Sequence, residues 1–326
     1  MRRYRLGCGE LCLLIAAAAT FGCSSKESGD SGGADASASS GGGSGNGGGS
    51  GSGGGAANGG GESGNGDGSV PLVSCKRGAG YTNENALDLP SFRQGIGWWY
   101  DWGNSPDPTV AAALIAGGVE YVPMVWTGPP DGTLDVAGIE KSIPQGARFL
   151  LGFNEPNFAS QANLTPAQAA ADWPMLEQIA KDRNLKLVSP ALNYCGGNCN
   201  ETDPFVWMDM FFAACTNCQV DYVAFHWYSC SGGALTSLLS KFEAYGRPVW
   251  LTEFSCLDGS ADESAAGQDT YMKTAIPLLE ADPKVFRYSW FIARSTNPSA
   301  YDLFGDPGQL TALGQTYVTL PGACTF

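Results

Sequence analysis

The sequence predicts an α/β fold of the (β/α)8 TIM-barrel type, built as a single domain over residues 71–326. Three observations carry that prediction. Eight short apolar runs recur along this segment, and stretches with helix start and stop signals separate them. The clearest runs, such as Leu150–Phe153 and Val249–Leu251, are continuously apolar rather than alternating, as strands are when both faces of a parallel sheet are covered. The segment, at roughly 255 residues, also has the usual size of one such barrel. A doubly wound sheet is the structural alternative. No G-x-G-x-x-G or phosphate loop follows any run, which weighs against its nucleotide-binding version.

The first seventy of the 326 residues stand outside that barrel. Arg2, Arg3 and Arg5 precede an apolar stretch, Leu11 to Phe21, that is too short to span a bilayer. This is the pattern of a secretory signal over residues 1–22. Thr20-Phe21-Gly22-Cys23 resembles a bacterial lipobox, which implies lipidation of Cys23; ordinary signal cleavage nearby is the alternative. Residues 23–70 are mostly Gly, Ser, Asn and Ala without apolar period, and are expected to be a disordered linker. A Gly/Ser coil of roughly 47 residues spans on the order of 35–40 Å root-mean-square, the reach of a tether. The expectation is an exported protein, a lipoprotein of the cell surface or outer membrane and otherwise secreted. It would touch a membrane only through the lipid.

Within the barrel, Cys75 to Tyr81 reads as strand one and the aromatic-rich Gly95 to Trp102 as strand two. Val110 to Ala116 is a short helix stopped by Gly117-Gly118, and Val119 to Trp126 is strand three. Gly128-Pro129-Pro130-Asp131-Gly132 makes a loop at the rim. Strand four is Leu150 to Phe153, and it delivers Glu155. Pro156 cannot continue a central strand, so Glu155 falls where strand gives way to loop. Thr165-Pro166 caps a helix that runs to about Arg183. Leu185 to Ala191 is strand five, ending near Asn193 and Tyr194. Pro204 to Ala214 is a helix, Asp221 to Tyr228 strand six, and Ala234 to Tyr245 a helix stopped by Gly246. Pro248 to Phe254 is strand seven, carrying Glu253. Residues 262–280 form a helix with Pro277 as a kink, and Val285 to Phe291 is strand eight.

Composition narrows the function. Four of the 18 Lys and Arg and six of the 32 Asp and Glu lie in the first seventy residues, leaving 14 against 26 in the barrel. That acidic balance argues against nucleic acid as a partner. The single histidine, His226, excludes multi-histidine metal sites, and no G-x-S-x-G elbow in residues 71–326 marks a serine hydrolase. No cofactor is expected, and the chain is expected to be a monomer. Eight cysteines follow Cys23, an even number in an exported chain, so disulfides are the default. Cys230 and Cys256 lie just past neighbouring strands, and Cys75 and Cys324 flank strand one and the chain end, where barrel termini meet. Each pair is expected to bond. Cys195, Cys199, Cys215 and Cys218 would then pair among themselves, with three connectivities open; a tetrahedral zinc site is the alternative by spacing.

Two carboxylates at the ends of two strands of one sheet are what glycoside hydrolysis requires. One protonates a leaving oxygen, and the other attacks or activates water. Sugar rings also have apolar faces that stack on aromatics, and Trp98, Trp99, Tyr100, Trp102, Trp126, Trp227, Tyr228 and Trp290 all fall near strand ends. Trp98 and Trp99 face opposite ways, so at most one of them enters the barrel. The residues expected to hold substrate are Asn154, Trp99, Tyr100, Trp126, Asn193, His226, Trp227, Tyr228 and Trp290, with Trp173, Trp207 and Trp250 left to packing.

The motifs Phe153-Asn154-Glu155-Pro156-Asn157, Phe225-His226-Trp227-Tyr228 and Trp250-Leu251-Thr252-Glu253-Phe254 together resemble glycoside hydrolase family 128. The resemblance runs over most of residues 75–320. It implies a retaining endo-β-1,3-glucanase, with Glu155 as acid/base, Glu253 as nucleophile and a β-glucan polysaccharide or oligosaccharide as partner. It further implies that a residue of strand six contacts the nucleophile, and sequence leaves open whether that is Tyr228 or His226. A glycan-binding lipoprotein without catalysis, on the same scaffold, is the competing expectation.

Overall fold

The computed structural model describes residues 75–129, 133–322 and Cys324. The expected signal, the linker and Cys23 lie outside the described residues, as do positions 130–132 of the Gly/Pro loop. Eight strands form one sheet: β1 (Arg77–Gly80), β2 (Trp98–Tyr100), β3 (Glu120–Tyr121), β4 (Phe149–Leu151), β5 (Lys186–Leu192), β6 (Tyr222–Trp227), β7 (Val249–Phe254) and β8 (Val285–Trp290). Their order is β3-β2-β1-β8-β7-β6-β5-β4, and the neighbours pair in parallel. Backbone just past β3 spans the remaining gap to β4. The Leu151 N–H donates to Pro123 O (2.9 Å), and the Val125 N–H to Leu151 O (3.0 Å). The (β/α)8 barrel expected from the eight runs is therefore the fold. Strand three is shorter than its apolar run because Pro123 has no N–H to give a ladder.

Among the described residues one α-helix follows each strand, the first preceded by a 3-10 turn at Ala86–Asp88: α1 (Leu89–Phe92), α2 (Pro108–Ala116), α3 (Val136–Ser142), α4 (Pro166–Arg183), α5 (Pro204–Ala214), α6 (Gly232–Glu243), α7 (Ala265–Ala281) and α8 (Ala312–Thr319). Thr165 and Gln168 close a capping box on α4, and Asn184 ends it in the left-handed region. Pro277, read as a kink, sits inside α7, which continues to Ala281. Three helices were not anticipated. α1 is a single turn, α3 buries only Ile139, and α8, whose buried Leu313, Tyr317 and Val318 are helically spaced, is only eight residues long and carries Gly314 and three β-branched residues.

Side chains divide into two buried layers. Trp99, Trp173, Trp207, Trp227 and Trp290 belong to the layer between sheet and helices. Trp98, Tyr100, Trp102, Phe149, Tyr228 and Trp250 belong to the barrel interior. Gly78 of β1 makes room for the interior Trp98: a Cβ there would lie 2.2 Å from the indole.

The eight cysteines form four bridges. Cys75 bonds Cys324 (Cα–Cα 5.5 Å), and Cys230 bonds Cys256 (4.5 Å). The other four pair locally, Cys195 with Cys199 and Cys215 with Cys218, so they form no zinc tetrad.

Candidate active site

The two glutamates reach the rim by different local means. Glu253 sits within β7, opposite His226 of β6. A one-residue slip between the Phe225/Leu251 and His226/Glu253 pairs brings these two together. Glu155 lies past the end of β4, where Asn154 bridges Ala191 of β5 and the Glu155 N–H donates to Ala191 O (2.8 Å). Its φ is 41°, in the left-handed region that a glutamate seldom occupies. Backbone strain of this kind collects at functional sites.

Both carboxyls are buried, 3% exposed, and His226 lies between them. His226 Nδ1 is 2.9 Å from Glu155 Oε1 and 3.5 Å from Glu253 Oε2. Nδ1 faces two carboxyl groups and therefore carries a proton. Asn193 Nδ2 also donates to Glu155 Oε1 (3.2 Å). Glu253 accepts from three further donors. Trp102 Nε1 (2.7 Å) and the Tyr100 hydroxyl (3.2 Å) reach Oε1, and the Tyr228 hydroxyl reaches Oε2. Both candidates for the contact from strand six, Tyr228 and His226, thus face Glu253.

Burial raises the Glu253 carboxyl above its ordinary range, and the charge of Glu155 adds to this; His226, Tyr228 and Trp102 pull the other way. Burial would lower the His226 imidazolium, but the charge of Glu253, with the hydrogen bond and charge of Glu155, outweighs it and raises it. Burial and the charge of Glu253 push the phenols of Tyr100 and Tyr228 well above their usual value, so both stay neutral donors.

One donor atom from each of Glu155, His226 and Glu253 lies within 4.8 Å of the others, a set that by count could ligate a cation. The oxygens of Glu253 are already occupied by an indole and two phenols, which a cation would have to displace. The trio reads instead as acid/base chemistry.

Asn154, Tyr100, Asn193, His226 and Tyr228 are gathered around the two glutamates, as the sequence predicts. Asn154 donates to Gln161 (3.3 Å), and its Oδ1 has no hydrogen-bond partner among the described residues. Trp126 is half-buried, and its carbonyl accepts the Asn154 N–H (2.8 Å). Three expected rim aromatics are corrected. Trp99 and Trp290 are fully buried and Trp227 is 9% exposed, all in the sheet–helix layer. Strand alternation is the reason: Tyr100, Tyr228 and Phe291 point inward, so Trp99, Trp227 and Trp290 beside them point outward. Trp102, named among the strand-end aromatics but not among the residues expected to hold substrate, is placed by the same parity on the face of Tyr100.

Two buried carboxyls bracketing one histidine at the C-terminal rim of a (β/α)8 barrel define a barrel glycoside hydrolase. Comparison with known proteins agrees. A family model described as glycosyl hydrolase catalytic core matches residues 78–317. A family 128 (subgroup II) endo-β-1,3-glucanase from Sorangium cellulosum is 42% identical, with a TM-score of 0.71, over 76% of this chain and 99% of its own. A subgroup I endo-β-1,3-glucanase from Amycolatopsis mediterranei, solved with laminaritriose, is 30% identical, with a TM-score of 0.61, over 75% of this chain and 98% of its own. Alkali-sensitive linkage protein 1 of Schizosaccharomyces pombe is 29% identical over 256 residues, 76% of this chain; the chain spans 45% of that protein's length. The chain belongs to glycoside hydrolase family 128.

Proposed function

We propose that the protein is an endo-β-1,3-glucanase that cuts its substrate with retention, using Glu155 as acid/base and Glu253 as nucleophile. The observation that carries the reading is the approach of the two carboxyls, with an oxygen of each inside a 4.8 Å cluster. Retaining enzymes hold their carboxyls about 5–5.5 Å apart, whereas inverting ones need about 6.5–9.5 Å to admit water between them. The names of the two solved relatives supply the β-1,3 linkage and the endo mode.

In the first step Glu155 gives its proton to the glycosidic oxygen while an oxygen of Glu253 bonds to C1 and the C1–O bond breaks. In the second, Glu155, now a carboxylate, takes a proton from water as that water's oxygen bonds to C1 and releases Glu253. Tyr100, Tyr228 and Trp102 keep Glu253 aimed without neutralising it, because all three donors are uncharged. His226 holds Glu155 through Nδ1. Asn154 Oδ1 and His226 Nε2, both buried and without a partner among the described residues, are available to sugar hydroxyls.

Proton NMR during early hydrolysis of β-1,3-glucan tests the reading. The first product should be the β anomer, and initial α anomer means inversion. Binding of glucan with no release of reducing sugar would instead favour a non-catalytic module. We also infer export and tethering through Cys23; a Cys23→Ser chain should leave the membrane fraction, and its retention there contradicts the anchor.

A further inference from the structure

We propose that Trp102 is a positioning residue for Glu253 and that Gly80 is the residue that seats it. This rests on the nucleophile role given to Glu253 above. The indole Nε1 approaches Glu253 Oε1 at 2.7 Å, closer than the Tyr100 hydroxyl at 3.2 Å. Trp102 is 8% exposed and Glu253 3%, so the bond lies out of water, where a donor to a charged acceptor acts most strongly. With Oε1 tied to Trp102 and Tyr100 and Oε2 tied to Tyr228, the carboxylate has one orientation.

The chain around Trp102 is arranged to hold that pose. Its φ is 61°, a left-handed backbone that is costly for an indole-bearing residue. The turn is pinned on both sides. Asp101 Oδ1 accepts the Gly103 N–H (3.0 Å) and the Tyr121 O–H (2.6 Å). Gly103 O accepts the Tyr121 O–H (2.8 Å) and the Met124 N–H (2.8 Å). The ring packs against Tyr100 (centroids 4.9 Å apart) and Phe291 (5.9 Å). Gly80 of β1 completes the seat: a Cβ there would lie 2.8 Å from Trp102 Cη2 and push the ring away. Strained backbone, a clasp on either side and a missing Cβ all converge on one N–H aimed at one carboxylate oxygen.

The titratable groups facing Glu253 are Glu155 from the turn after β4, His226 from β6, Tyr228 just past it, and Tyr100 from β2. The Trp102 indole N–H does not titrate in the working pH range. Removing its N–H leaves every charge in place and takes a donor from the ionised carboxylate alone. Glu253 then protonates at a higher pH.

The test is kcat and KM on β-1,3-glucan across pH for Trp102→Phe and Gly80→Ala beside the unaltered protein. In both variants kcat should fall by roughly 10- to 100-fold, with a smaller change in KM. The acid limb of kcat/KM should move to higher pH, because that limb reports the group that must be ionised in the free enzyme. An acid limb in its original place overturns the proposal whatever happens to kcat, since a residue that only fills the core would lower activity without moving it. A second measurement does not depend on those variants folding. In 15N-labelled full-length protein, one indole N–H resonance should titrate with the midpoint of the acid limb and stop titrating in Glu253→Gln. No indole signal responding to Glu253 overturns the proposal. Full turnover in Glu253→Gln would sink it through the nucleophile role, an outcome distinct from an unmoved limb.

Discussion

Two glutamates are buried to the same degree at opposite ends of this barrel, and they are compensated in opposite ways. Glu120, at the start of β3, is 3% exposed and paired with Arg148 and Arg287. Arg287 is itself enclosed by the rings of Trp98, Phe149, Trp250 and Phe286, with centroids 4.8–5.6 Å from its guanidinium carbon. Glu253, also 3% exposed, meets an indole, two phenols and one histidine. A buried charge needs partners at either end. Two guanidiniums at the floor neutralise the carboxylate and lock it. At the rim one imidazole, 3.5 Å away and shared with Glu155, and three neutral donors orient the carboxylate and leave its electron pair free to attack carbon. The same fold thus makes a strut and a nucleophile from one residue type by the choice of partner.

The largest expected effect separates the two ends by activity. Glu253→Gln should lower kcat by roughly 10⁴-fold or more, with little change in thermal unfolding. In Glu253→Ala, which vacates the position, azide should restore turnover and yield a glycosyl azide of inverted configuration, because a small anion can take the place of the missing carboxylate. Glu155→Gln should lose as much without that product. Turnover near the original level in either variant breaks the comparison.

Glu120→Gln should do the reverse. It leaves Arg287 buried without its counter-charge, at a cost of about 3–5 kcal/mol of stability in denaturant unfolding. Activity per folded molecule should hardly change. A large fall in kcat with stability intact would show that the floor takes part in the chemistry.

The disulfides sharpen the contrast. Cys75 and Cys324 close a separation of 249 residues at the chain ends, Cys230 and Cys256 one of 26 beside the site. Replacing both members of the first pair by Ser should cost about 5.5 kcal/mol in the chain-entropy model, against about 3.5 kcal/mol for the second. Only the second should also lower kcat, since Cys256 lies three residues past Glu253 and Leu257 N–H donates to Tyr228 O (2.8 Å). Equal kcat in both double variants would remove the rim bridge from the account.

The smallest effect is on pH. His226 holds the Glu253 carboxyl down against burial. His226→Asn removes that pull, so Glu253 protonates at higher pH and activity is lost sooner as pH falls. An acid limb displaced to lower pH would contradict the sign.

Much of this was readable from residues. Glu155 and Glu253 announced themselves because each ends an apolar run, and Pro156 marks where the first run stops. The barrel followed from eight such runs. The three misplaced aromatics, Trp99, Trp227 and Trp290, were put at the rim by nearness to strand ends, when the parity of inward neighbours decides which way each faces. Trp102 could have been found by that parity, but its left-handed backbone is held by Tyr121 and Met124, contacts that are not local in sequence. α3 was missed because it buries only Ile139, and α8 because its stripe of Leu313, Tyr317 and Val318 spans just two turns and is interrupted by Gly314 and β-branched residues. The slip that sets Glu253 opposite His226 left no mark in either strand's pattern.

The central claim, that Glu253 is a nucleophile held ionised by His226 and aimed by neutral donors, is tested most directly by trapping. Incubation with a 2-deoxy-2-fluoro laminaribioside bearing an activated leaving group should add one disaccharide to the intact mass. Peptide mapping should place that mass on Glu253. An adduct on Glu155, or no adduct while the first product from β-1,3-glucan is the α anomer, would contradict it.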